Sequence, residues 1–141
     1  MAVKQRSESV LRLLDANLNR AREGLRVLED TARFVWNDSA LFRKFRAERH
    51  GLDLVTRKFY PELLRSRDSR NDEGRVTAES GRNSVKSVVA ANFRRCEESL
   101  RVLEEYGKVF AKGAAKEFKR MRFGIYTLEK KTMELKGKRV Q

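Results

Sequence analysis

The sequence predicts an all-α fold: a four-helix bundle of two αα-hairpins, related by a pseudo-twofold axis and joined by a long loop. Three observations lead there. The first is composition. One Pro and eight Gly stand in 141 residues, among many Leu, Arg, Glu, Lys and Ala, which favours helix throughout. The second is an internal repeat. Residues 9–35 laid over 84–110 without a gap agree at eleven positions: Ser9, Val10, Ala16, Asn17, Arg20, Glu23, Leu25, Arg26, Val27, Leu28 and Glu29 in the first copy. Average residue usage would give about two. The strongest stretch sets ANLNRAREGLRVLED over ANFRRCEESLRVLEE, and one residue of slippage extends it weakly to Phe42 with Phe118, Arg46 with Arg122 and Leu52 with Leu128. The third is periodicity: apolar residues recur at helical spacing in both copies and nowhere alternate as in a strand.

The first helix carries Leu11, Leu14, Leu18, Ala21, Leu25, Leu28, Ala32 and Val35 on one stripe. It is expected to end near Trp36, with Phe34 and Trp36 packing there, because Asn37-Asp38-Ser39 offers a fresh N-cap. The second runs through Leu41, Phe45, Leu52 and Val55 until Pro61 stops it or opens a short turn. Residues 66–82, SRDSRNDEGRVTAESGR, lack an apolar period and hold turn formers, so they read as a loop between halves at about 7–60 and 83–136. Loops of this length are often functional. The third helix, to Phe110, carries Val89, Phe93, Cys96, Leu100, Leu103 and Phe110, with Cys96 as a small packing residue in the place of Ala21. Lys112-Gly113 breaks it before a fourth helix with Phe118, Met121, Ile125, Leu128 and Leu135, and the basic tail 136–141 is expected to be solvated. Burying the stripes against one another makes a single helical domain of residues 1–141.

Charge and cysteine content narrow the classes further. The 33 Lys plus Arg exceed the 20 Asp plus Glu by 13. A lone Cys96 forms no internal disulfide, no apolar run approaches the roughly 18 residues of a spanning helix, and the first residues lack a signal-peptide core. Membrane association is not expected, and the cytoplasm is the default compartment. The +13 suits nucleic acid, an anionic surface or a small anionic ligand. The cations, however, interleave with Glu along both repeats, and most of the aromatic residues lie on apolar stripes where they cannot stack on bases, which argues against nucleic acid.

Within the repeat, Asn17, Arg20, Glu23, Arg26 and Glu29 recur as Asn92, Arg95, Glu98, Arg101 and Glu104. A three-residue step drifts 60° backwards around a helix, so one pocket cannot use all five. Asn17 and Arg20 share an edge of the stripe with Gly24, as Asn92 and Arg95 do with Ser99, and small residues there let a ligand or a helix approach closely. An Asn beside an Arg can orient a polar heterocycle or a phosphate. Glu and Arg three or four apart also form ordinary solvated pairs. In the loop, Arg67, Asp68, Asp72 and Glu73, followed by Gly74, Glu79 and Arg82, could hold Mg²⁺ and a polyphosphate, or form an exposed charged linker. His50, beside Arg49, is a surface residue or part of an anionic site. P-loop, dinucleotide-binding, metal-spaced Cys/His and GxSxG motifs are absent.

The segments DANLNRAREGLRVLEDTARFV, RH at Arg49-His50, SRDSRNDEG, AANFRRCEESLRVLEEYGK and RFGIYTLEK resemble, in that order, the monofunctional hydroxymethylpyrimidine phosphate kinase family of thiamine biosynthesis. That helical domain is met alone or fused ahead of thiamine-phosphate synthase. The resemblance implies ATP-dependent phosphorylation of the pyrimidine monophosphate to the diphosphate, with Mg²⁺. It implies phosphate or substrate binding by Asn17, Arg20, Glu23, Arg49, Asn92, Arg95 and Glu98, with Arg20 and Arg95 on phosphate and the two Asn on the aminopyrimidine or ribose. Asp68 and Asp72 would hold Mg²⁺, Arg67 would be a mobile charge-neutralising group acting with Asp68, and His50 would orient the acceptor phosphate. Ser69 stands where the family has Thr and Glu73 where it has an apolar residue. No synthase barrel follows, implying a standalone protein or a separate partner. The rival readings are a non-enzymatic helical adaptor of thiamine-phosphate synthase, a basic nucleic-acid-binding bundle and a chorismate-mutase-like helical enzyme. One site between the halves and two sites in a homodimer are both open.

Overall fold

A computed structural model describes residues 2–137, with side chains from residue 8. Five α-helices follow one another: α1 (Ala2–Asp30), α2 (Ser39–Thr56), α3 (Tyr60–Ser66), α4 (Val85–Phe110) and α5 (Lys112–Lys136). The described residues contain no strand. The four long helices form the all-α bundle: α1 packs on α2, α4 on α5, and α1 and α4 lie against each other between the two hairpins.

The link between α1 and α2 explains where the apolar stripe ends. After Asp30 the helix widens into one π turn, Thr31–Val35, with the Trp36 N–H donating to the Thr31 carbonyl at 3.0 Å. Asn37 then adopts the left-handed conformation (φ 50°), which Asn tolerates better than most residues, and Asp38 N–H reaches the Ala32 carbonyl at 2.8 Å. The Asp38 carboxylate caps α2 by accepting from Leu41 N–H at 3.0 Å. The extra residue in that turn rotates the end of the helix off the stripe. Phe34 and Val35, expected to be packed, are therefore exposed, while Trp36 stays against the core.

Pro61 opens a helix instead of ending one. A 3₁₀ turn, Arg57–Phe59, leads into α3 with Pro61 in its first turn, where its missing N–H has no intrahelical acceptor to lose. Leu63 is buried there, and the Phe59 ring meets Phe110 edge-on at 5.4 Å, so α3 seals one end of the bundle. The second half has no counterpart. Its helices are separated by Ala111 alone, where Gly107 faces the backbone of Ala115, and α4 opens with a reciprocal Ser84–Ser87 capping box, both bonds 3.1 Å.

Two expectations for the end of α5 are corrected. Leu135 is exposed, on the side turned from the core. Lys136 is buried with its ammonium 3.0 Å from Asp38, over the Trp36 ring. The start of the basic tail is thus tied to the α1–α2 link instead of being solvated, and the rest of it, 138–141, lies outside the described residues.

Equivalent positions of the two repeats meet at the centre, as a twofold axis requires: Cys96 Sγ lies 3.6 Å from the Ala21 carbonyl. The two helices run antiparallel, since Gly24 faces Asn92 and Cys96 while Leu14 and Leu18 gather with Leu103 and Phe110 at one end. Burial pushes the Cys96 thiol up to about 12, so it is an inert packing group, as expected from its place on the stripe. A Cβ on Gly24 would sit 2.7 Å from Cys96 Sγ and 3.2 Å from the Asn92 carbonyl. Gly24→Ala is therefore expected to destabilise the fold by about 1–3 kcal/mol, although Ala is the better helix former by ~1 kcal/mol. Thermal melts should show a lower Tm, partly restored in Gly24→Ala/Cys96→Ala; an unchanged Tm would contradict the close approach.

Candidate functional site

The chemistry-bearing residues divide among adjoining surfaces of α1. One is a basic cleft of about 750 Å³ between α1, α4 and residues 79–82 of the loop. It brings together Asn17 and Arg20 from the first repeat with Arg95, Glu98 and Ser99 from the second, and adds Arg82 and Arg94. Four Arg therefore face Glu79 and Glu98. The Asn17 amide donates to the Leu13 carbonyl at 2.9 Å and accepts from Arg20 Nη1 at 3.4 Å, which explains a nearly buried Asn inside a helix: it satisfies itself one turn back and aims the Arg one turn on. Asn92 makes the same backward bond, 2.8 Å to the Val88 carbonyl, but does not line the cleft. The two small residues have separated roles. Gly24 admits the neighbouring helix, and Ser99 borders the open cleft.

An acidic cleft of about 490 Å³ lies further along α1, between residues 9–19 and the loop residues 67–73. Asp15, Asp68, Asp72 and Glu73 line it with Arg12 and Arg67. Arg67 does not hang free: its guanidinium grips the buried Asp15 through two bonds of 2.8 and 2.9 Å. The expected mobile neutralising group is instead the anchor that fixes the start of the loop to α1. Both oxygens of Asp68 accept from Asn71 Nδ2, at 3.1 and 3.0 Å, and Asp72 accepts from Gly74 N–H at 2.8 Å. Glu73 is exposed in a short 3₁₀ turn, so a charge there leaves nothing buried unpaired. Among the described residues no three His, Cys, Asp or Glu converge as a ready-made metal site. A donor set of one or two carboxylates suits Mg²⁺ delivered with phosphate ligands.

The clefts adjoin. Ala16 and Asn19 line the acidic one while Asn17 and Arg20 line the basic one, so the two share one stretch of α1. Glu23 and Arg49 are in neither. They border a shallower hollow with Asn19, Arg22 and Arg26, in which Arg49 is already paired with the buried Glu29 at 2.7 Å. His50 is exposed on α2, where its Nε2 accepts from Arg46 at 3.4 Å, and it lines neither cleft.

Glu29 and its repeat equivalent Glu104 turn out to be structural. Each is buried on the first helix of its hairpin and takes an Arg from the second: Glu29 with Arg49, Glu104 with Arg122 at 2.9 Å. The partner shifts by one helical turn between halves, since the repeat aligns Arg122 with Arg46.

A second duplicated position has diverged in charge. Arg22 pairs with Asp53 at 2.9 Å; the matching positions in the second half are Glu97 and Glu129. Glu97 is buried with one oxygen meeting no donor. Burial, then Glu129 across from it on α5, pushes its carboxyl up to about 7, against a smaller pull from Arg94. An unfolded Glu titrates near 4.3. Between about pH 4.5 and 7 the unfolded chain gives up this proton while the folded chain keeps it, so stability falls as pH rises through that window and is level above it. Glu97→Gln should raise Tm at pH 8 by roughly 3–6 °C and leave it unchanged at pH 4; equal shifts at both values would refute the assignment.

Glu79 and Arg82, two of the loop's expected charged residues, line the basic cleft and not the acidic one, while Arg94 and Asp15 were not among the residues expected from the sequence. Arg94 replaces Asn19 of the first repeat, so self-similarity hides it, and Asp15 is recognisable by its partner Arg67 alone.

The chain matches the model of the ThiD2 family over residues 12–131. It is 44% identical over 133 residues to a protein of Nostoc punctiforme called thiamine-phosphate synthase, covering 92% of this chain and 37% of that one. It is 45% identical over 106 residues to the protein of that name from Rhodopirellula baltica, covering 72% and 28%. The figure is 42% over 133 residues for the one from Gloeobacter violaceus, covering 92% and 38%. The chain thus spans about a third of the length of these relatives. No solved structure matches it. A family match over most of the chain, supported by identities of this size, shows that the protein belongs to the ThiD2 family.

Proposed function

We propose that this protein acts in thiamine biosynthesis as an ATP-dependent kinase, phosphorylating 4-amino-5-hydroxymethyl-2-methylpyrimidine phosphate to the diphosphate. The observation that carries this is the pair of adjoining clefts of opposite charge, the basic one built from the Asn/Arg motif of both repeats. A transfer between two phosphorylated ligands needs two neighbouring sites and a surplus of cations where the anions meet. The acceptor is already an ionised phosphate. Its oxygen attacks the γ-phosphorus, the bond from that phosphorus to the bridging oxygen breaks, ADP leaves, and no strong base is required. Positioning and charge neutralisation are then the main work, and fixed Arg side chains supply both.

In this reading Arg20 and Arg95 bind the acceptor phosphate, and Asn17 acts as the brace that aims Arg20. Arg94 and Glu98 face the rest of the substrate. Asp68 and Asp72 would hold Mg²⁺, which neutralises the polyphosphate when bound. Arg67 positions that wall through Asp15. The exposed place of His50 on α2 does not support a role in orienting the acceptor, and Arg49 is committed to Glu29. Among the described residues no helix is long and apolar enough to cross a membrane.

The test is turnover of the pyrimidine monophosphate by purified protein with ATP and Mg²⁺. Diphosphate formation is the expected result; none, from a chain that circular dichroism shows to be folded, would sink the kinase reading. The name of the matched relatives and the third of their length spanned here favour one alternative, a helical adaptor of thiamine-phosphate synthase. That reading predicts no nucleotide binding and a stable complex with the synthase.

A further inference from the structure

The loop that closes the basic cleft is held unequally along its length. At its start Arg67 is fixed to Asp15 by two short bonds, and Thr77 ties the following turn by donating to the Glu73 carbonyl at 2.8 Å. Residues 78–83 have no regular structure and are all exposed, and at their end Asn83 N–H donates to Ser87 Oγ of α4 at 3.2 Å. The ion pair joining them to the bundle runs from Glu79 Oε2 to Arg95 Nη2, 3.6 Å long, with Glu79 72% exposed. Arg82 turns back on the loop itself, with Nη1 bonded to the Ser80 carbonyl at 2.8 Å. Arg20, the repeat equivalent of Arg95 in the same cleft, is oriented by the neutral amide of Asn17. One of two matched arginines thus carries a neutral brace and the other a loosely held carboxylate.

We propose that Glu79 is a built-in competitor at the phosphate position of Arg95: its carboxylate occupies that guanidinium until a doubly charged phosphate ester displaces it and frees residues 78–82. This rests on the reading of the basic cleft as a phosphate site. A carboxylate uses the same guanidinium donors as a phosphate but brings one negative charge where the ester brings two. A long, exposed ion pair breaks at little cost. A tethered carboxylate nonetheless acts at a millimolar effective concentration, so weak monoanions do not dislodge it, whereas a dianion held by Arg20 and Arg95 together does. The exchange links the arrival of the phosphate to release of the segment that forms the outer wall of the cleft.

The experiment titrates inorganic phosphate into the full chain and follows the backbone amide signals of Gly81 and Ser99 by NMR. It compares wild type, Glu79→Gln, Arg95→Gln and the double variant. Glu79→Gln is expected to bind phosphate about 2- to 5-fold tighter, the range an exposed ion pair sets, and the gain should vanish in the Arg95→Gln background. Equal or weaker binding by Glu79→Gln overturns the proposal. So does the same gain without Arg95, which would make Glu79 a background charge. Absence of any shift at Gly81 and Ser99 in wild type and Glu79→Gln alike defeats the phosphate-site reading itself. Glu79 touches nothing buried, so a melt matching wild type verifies that the variant is folded.

Discussion

Arg95→Ala is expected to lower kcat/KM for phosphorylation of the pyrimidine monophosphate by roughly 10²- to 10³-fold, the size seen when one preorganised donor to developing charge is removed. Arg20→Ala should fall in the same range, because the two residues occupy equivalent places in the repeat and line one cleft. Asn17→Ala should have a smaller effect. It removes the 3.4 Å brace on Arg20 without removing the charge, so a loss expressed mainly in KM is the signature of positioning. Steady-state kinetics on the three variants measures this. Full activity in both Arg variants would move the site out of the basic cleft.

Arg122→Met is expected to destabilise the fold by about 3 kcal/mol, because it strands the Glu104 carboxylate in a buried position. Glu104 is 4% exposed and takes Arg122 at 2.9 Å, while its other charged neighbour, Arg101, stays 3.8 Å away at the surface. Tyr126 loses a donor as well, since Arg122 Nη1 lies 3.4 Å from its hydroxyl. Replacing both partners with apolar residues, as in Glu104→Leu/Arg122→Met, should recover most of the loss, since a buried ion pair often costs as much in desolvation as it returns. Urea denaturation of the single and double variants tests this; a single variant as stable as wild type would show that the pair is solvated.

Much of the fold was legible in the sequence because it repeats local rules. The stripe of Leu14, Leu18, Leu25 and Leu28 and its copy through Phe93, Leu100 and Leu103 are buried as their spacing requires. Asp38 caps α2 where an Asn-Asp-Ser run predicted a start. The errors fall where a local rule was overridden. A single π turn rotated Phe34 and Val35 to solvent, and Lys136 found an acid at the α1–α2 link of the other hairpin.

The candidate site was legible to a lesser degree. Asn17, Arg20 and Arg95 do share a cleft, which their phase on one stripe edge anticipated, and Glu98, whose phase puts it on the polar side, joins them there. Glu23 and Arg49 face a different hollow, and Arg67 is an anchor. The partners of Arg49 and Arg67 are not legible in the sequence for one reason: Glu29 and Asp15 are 20 and 52 residues away, and spacing along one helix carries no information about a neighbour on another.

The sequence alone determined the helices, their duplicated order and the faces they bury, because a 3.6-residue period with apolar residues on one side has a single low-energy solution. The tertiary structure decided which charges meet. The same Glu position takes an Arg from one helical turn or the next, and the same polar pair is Arg22–Asp53 in one half and Glu97–Glu129 in the other. Those outcomes depend on the offset between packed helices and on the path of the loop. Long charged side chains reach about one helical turn along a neighbour at little cost, so their pairing is set by packing and not by their own phase.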